Sequence, residues 1–91
     1  MKVGYSKDFD KKVEKLKDNL AKKRLNLLIT KLKEATTLWE IPNVVPVEGI
    51  VGVYRIRTGD YRLFVEYWNG EIIIILIDYR KRNEKTYRRI N

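Results

Sequence analysis

Two rhythms of apolar residues divide the chain. Up to Trp39 they return every three or four positions: Phe9, Val13, Leu16 and Leu20, then Ala21, Leu25, Leu28, Leu32, Ala35 and Trp39. That spacing predicts amphipathic helix. Ser6 stands ahead of the first stripe as an N-cap, with Asp8 and Asp10 in the turn where carboxylates suit the helix dipole. Asp18-Asn19 is the only polar break, and it predicts a helical hairpin, with one kinked helix as the alternative. Pro42 disfavours helix at Ile41, so the second helix should stop near Glu40. Ile41 to Ile50 holds both prolines and reads as a loop, and Met1 to Tyr5 as a short strand.

From Val53 to Tyr79 the period falls to two, interrupted by Gly59-Asp60 and Asn69-Gly70. Both dipeptides suit two-residue hairpin turns, in which positive φ is needed at the glycine or asparagine, and such turns fix register. Three strands follow. Counting back from Gly59-Asp60 sets Thr58 opposite Tyr61, Arg57 opposite Arg62, Ile56 opposite Leu63 and Arg55 opposite Phe64. Alternation then puts Tyr54, Ile56, Leu63, Val65 and Tyr67 on one face, and Arg55, Arg57, Arg62, Phe64 and Glu66 on the other. Without a bulge, counting from Asn69-Gly70 pairs Phe64 with Ile75 and Arg62 with Ile77, so that Ile73, Ile75, Ile77, Tyr79 and Lys81 extend the arginine face. The helices are expected to cover the apolar face. The predicted architecture is α+β, in the order β-α-α-β-β-β with a short basic C-terminal tail or helix, as one domain over residues 1–91.

The facing arginines point beyond stability. Like charges directly opposite on a sheet are destabilising, and three guanidiniums beside apolar strand residues match a polyanionic ligand, phosphate above all. Repulsion taken alone predicts that Thr at position 57 or 62 stabilises the chain by about 0.5 kcal/mol.

Composition narrows the chemistry. Cysteine and histidine are absent, which removes disulfides, thiolate nucleophiles and the commonest general base, and no metal or cofactor is implied. The net charge of +8 is concentrated at the ends: residues 1–40 carry 11 basic and 6 acidic groups, residues 79–91 carry 6 and 1, and the stretch between carries 3 and 5. Such poles favour nucleic acid or an acidic protein as partner, while exposed helix lysines also serve solubility. No apolar leader or membrane-length run occurs, so a cytoplasmic protein without membrane contact is expected.

Glu-Ile-Pro-Asn at 40–43, Tyr-Arg-Ile-Arg at 54–57, Gly-Asp-Tyr-Arg at 59–62 and the basic cluster ending at Tyr87 resemble the RelE/ParE superfamily of bacterial and archaeal toxins. The resemblance spans nearly the whole chain. It implies a toxin of a type II toxin–antitoxin system, held inactive by a cognate antitoxin. RelE-like members cut mRNA on the ribosome; ParE-like members poison DNA gyrase. The full basic set favours the first, with the gyrase poison and a non-catalytic basic RNA-binding module as alternatives. By the same resemblance the catalytic set is Arg57, Arg62, Lys81 and Tyr87, and RNA is contacted by Arg55, Arg80, Arg82 and Lys85. The antitoxin is expected to present an acidic, apolar-striped segment.

RNA supplies its own nucleophile, the 2′-hydroxyl. The protein must align it, take its proton, stabilise the phosphorane oxygens and protonate the leaving 5′-oxygen. Arginine cannot serve as the base, since its pKa exceeds about 12. Arg57 and Arg62 are therefore assigned to phosphate charge, Tyr87 to the base, with Lys81 and Lys85 as alternatives. Glu66 and Asp78 read as salt-bridge partners or strand-end charges, and Trp39 and Trp68 as packing residues rather than base-stacking platforms.

Overall fold

The helices begin where their capping residues stand. In the structure, a computed structural model that describes residues 1–79, helix α1 spans Lys7–Lys15 behind Ser6, whose hydroxyl accepts a 3.0 Å bond from the Phe9 amide. Helix α2 spans Asn19–Glu34 behind Asp18, whose carboxylate accepts from the Ala21 amide at 3.0 Å. The polar break thus separates two helices. The amino group of Met1 donates to the carbonyls of Leu32, Lys33 and Ala35, a cation at the negative end of α2.

Helix α2 stops well short of the expected end near Glu40, and a second cap explains why. Glu40 Oε2 accepts from the amides of Thr36 and Thr37 at 3.0 and 3.1 Å, so Thr-Leu-Trp-Glu opens a separate 3-10 turn over Leu38–Glu40. Leu38 is consequently buried, and Trp39, which the helical stripe placed inside, is 60% exposed. Leu20, at the end of the first stripe, is also exposed.

Five strands form one sheet: β1 (Lys2–Tyr5), β2 (Val44–Pro46), β3 (Val53–Thr58), β4 (Tyr61–Trp68) and β5 (Glu71–Tyr79), in spatial order β1-β5-β4-β3-β2. Neighbours are antiparallel except β1 and β5. Strand β2 lies in the stretch read as a loop; its proline is tolerated because the strand is short and at the sheet edge. Both hairpin turns have the expected geometry, with φ of 50° and 76° at Asn69 and Gly70, and 62° at Gly59.

The β3–β4 register is the one counted from its turn, Thr58 to Tyr61 through Arg55 to Phe64. The β4–β5 register departs from its count. Pairs run from Trp68–Glu71 to Val65–Ile74, then jump to Phe64–Leu76, leaving Ile75 as the extra residue of a bulge. Beyond it Ile77 falls opposite Leu63 and Asp78 opposite Arg62. Ser6 holds this irregularity from the neighbouring chain segment: its amide donates to the Ile74 carbonyl at 2.9 Å and its hydroxyl to the Ile75 carbonyl. One serine therefore caps α1 and pins the bulge. Ser6→Ala is expected to lose about 1–2 kcal/mol, while Ser6→Asp, which caps but cannot donate to Ile75, should recover part of it; urea unfolding of both variants checks the pair.

Both helices cover one face of the sheet. Phe9, Leu25, Leu28 and Leu32 meet Ile56, Leu63, Val65, Ile72, Ile74 and Ile77 in a single core, flanked by the partly buried Tyr54 and Tyr67. No described element covers the opposite face, where the arginines emerge.

Candidate functional site

Strands β3 and β4 set the three central arginines on the face opposite the helices. Arg57 stands directly opposite Arg62, and Arg55 opposite Phe64. Arg57 is exposed and Arg55 half-buried. Arg62 differs from both: its Nη2 donates to Asp78 Oδ2 at 2.9 Å, and its side chain keeps only 20% exposure. Its Nε is buried and has no hydrogen-bond partner among the described residues. Arg57 has no ion-pair partner among the described residues.

The bulge corrects the expected composition of this face. Ile77, placed beside Arg62 by uninterrupted alternation, is 4% exposed in the core, and Asp78 takes the position across from Arg62. Ile73, paired with Glu66, remains on the arginine side with 37% exposure. Asp78 is thus a salt-bridge partner, one of the two roles its sequence position allowed. Lys81 and Tyr87 of the expected catalytic set, and Arg80, Arg82 and Lys85 of the expected RNA contacts, lie outside the described residues.

The ion pair also splits the expected effect of the two threonine substitutions. Arg57→Thr still removes a like-charged neighbour and should be neutral to slightly stabilising. Arg62→Thr instead leaves Asp78 without its partner and is expected to cost about 0.5–1 kcal/mol at low salt, part of it regained at high salt, as thermal unfolding in both conditions would show.

One basic residue near the site was not legible from spacing. Arg24, exposed on α2, packs over the β3–β4 turn so closely that a Cβ on Gly59 would lie 2.6 Å from its Nη1. Only the crossing of α2 over the sheet brings it there. The tryptophans are less packed than expected. Trp39 meets Tyr54 and Tyr67 edge-on at 5.2 and 5.7 Å between ring centroids yet stays mostly exposed, and Trp68 is 70% exposed at the Asn69-Gly70 turn. Among the described residues no three His, Cys, Asp or Glu side chains converge as metal ligands, and no helix is long and apolar enough to cross a membrane.

The two-helix layer packed on a mostly antiparallel sheet is a fold shared with known proteins. The family model described as the ParE toxin of the type II toxin–antitoxin system parDE matches residues 3–84. The chain belongs to the RelE/ParE superfamily of type II toxins. Within that superfamily it is similar to Toxin RelE3 of Methanocaldococcus jannaschii, with 32% identity over 75 residues covering 81% of this toxin and 83% of that one. Its fold matches a chain of the RelB-RelE antitoxin-toxin complex from Methanococcus jannaschii at a TM-score of 0.75, with 23% identity and coverage of 97% of this toxin and 99% of that chain. The isolated Escherichia coli RelE toxin superposes at a TM-score of 0.65 with 15% identity, covering 99% and 98% of the two chains. At those identities the solved structures speak for the fold alone, and the RelE3 relative places the toxin on the RelE-like side.

Proposed function

We propose that this toxin is a ribosome-dependent mRNA endonuclease that inhibits translation. The observation that carries the reading is the exposed Arg57 facing the braced Arg62 on a sheet face free of described elements. Two cationic forks on adjacent strands suit a phosphate whose negative charge grows during attack by the 2′-hydroxyl. Arg57 and Arg62 stabilise the phosphorane oxygens, Arg55 holds the neighbouring backbone, and Tyr87 takes the nucleophile's proton, with Lys81 and Lys85 as the other candidates; the P–O5′ bond then breaks, leaving a 2′,3′-cyclic phosphate and a 5′-oxygen that takes its proton from a lysine of the tail or from water. Arg80, Arg82 and Lys85 add backbone contacts from the tail. With neither histidine nor a carboxylate base among these residues, alignment of the 2′-hydroxyl with the phosphate carries much of the rate, which is consistent with a reaction assembled on the ribosome.

A cognate antitoxin is the second partner of this reading. It is supported by the RelB–RelE complex to which the fold is similar, and a basic face invites an acidic segment that folds on binding. The ParE family model favours a competing reading, a gyrase poison. Induction of the toxin in growing cells separates the two by which process stops first. Arrest of labelled amino-acid incorporation ahead of DNA synthesis is the expected result; early arrest of replication with protein-linked DNA breaks would select the gyrase reading instead.

A further inference from the structure

We infer that Asp78 is a positioning residue, which holds the Arg62 guanidinium in place for the phosphate, and that the Ile75 bulge exists in this fold to deliver it. The functional half of this inference rests on the proposed nuclease reading. The geometry begins with register. A regular β4–β5 hairpin would set Ile77 opposite Arg62 and turn Asp78 toward the helices; the extra residue exchanges them, so that Ile77 enters the core and Asp78 reaches the arginine face. Ser6 pins that exchange through its bonds to the Ile74 and Ile75 carbonyls. Strand bulges commonly re-aim a side chain next to a site, and here the re-aimed group is a carboxylate.

Its effect falls on one arginine of the facing pair. Arg62 has its Nε buried and its Nη2 bonded to Asp78, so the guanidinium is fixed at its inner edge and offers a ligand its outer end. Arg57, exposed and without an ion-pair partner among the described residues, keeps its charge uncompensated. Removing the carboxylate would set two cations against each other across adjacent strands, and Arg62 would swing away from Arg57. Asp78 therefore favours catalysis although its charge opposes RNA. A purely electrostatic role predicts the reverse, since deleting a negative charge beside a phosphate site raises affinity.

The test follows Arg62 directly. Side-chain 15N spectra of the folded toxin, with the Arg62 Nε–H assigned by its disappearance in Arg62→Lys, should show slow exchange with solvent in the wild type. Asp78→Ala should speed that exchange at least tenfold, and Asp78→Asn, which keeps an acceptor of the same shape, should fall between. On programmed ribosomes Asp78→Ala should lower kcat by about 10–100-fold with KM unchanged or lower, and Asp78→Asn should lose less. Unchanged exchange at Arg62 in both variants, or cleavage by Asp78→Ala equal to or above wild type, overturns the inference. Absence of cleavage by the wild-type toxin would instead refute the nuclease reading, and the positional claim would still be decided by the spectra.

Discussion

Arg62→Ala is expected to lower kcat for cleavage of ribosome-bound mRNA by about two to three orders of magnitude, the loss typical of removing one preorganised donor from a developing oxyanion. The substituted chain should stay folded. Arg62 sits on the face opposite the helices and outside the described core, so its loss opens no cavity there, and the cost of leaving Asp78 unpaired at 43% side-chain exposure is small beside the total stability of a domain. KM should move less than kcat if, as proposed, Arg55, Arg57 and the basic tail supply the remaining contacts to the RNA backbone. Single-turnover cleavage on programmed ribosomes, with circular dichroism of the same preparation, checks both halves of the expectation. Full activity at equal occupancy would remove Arg62 from the mechanism.

One residue further along the same strand the expectation inverts. Leu63 is fully buried and pairs with Ile56 on one side and Ile77 on the other. Leu63→Ala removes three carbons' worth of packing from the centre of the core and should cost about 2–5 kcal/mol, a large share of the 5–15 kcal/mol available to a domain of ordinary stability. The melting temperature should fall by roughly 10 °C or more, since each kcal/mol moves it by about 4–8 °C at this size. Per folded molecule, measured well below the transition, cleavage should be close to wild type. Differential scanning calorimetry beside the cleavage assay separates the two effects. Adjacent residues that divide stability and activity so cleanly would show that the strand's two faces do different work.

The contrast explains how far the sequence could be read. Alternation along Val53–Trp68 and the two glycine-containing turns were enough to place Arg57 against Arg62 and Ile56 against Leu63, because a two-residue turn leaves one register that buries the apolar face. The bulge was invisible for the opposite reason. Ile72 to Ile77 is aliphatic at every position, so a register slipped by one residue buries isoleucine or leucine just as well, and no periodicity marks where the chain irregularity falls. Its local signal was distant in sequence, in the Ser6 hydroxyl that serves α1 and β5 together. The apolar spacing carries helix α2 past its end because Ala35 and Trp39 continue it and outweigh the Thr37 to Glu40 spacing that starts the 3-10 turn. The candidate site divides along similar lines. Arg55, Arg57 and Arg62 follow from strand arithmetic, Asp78 depends on the bulge, and Lys81 and Tyr87 rest on family resemblance.

Primer extension on an mRNA translated in a purified system is the most direct measurement of what the arginine face does. With the toxin added, discrete 3′ ends are expected at codons in the ribosomal A site, absent when ribosomes are omitted and absent with Arg62→Ala. Intact mRNA under those conditions, together with stabilised gyrase–DNA cleavage complexes in a parallel reaction, would contradict the nuclease and assign the toxin to gyrase.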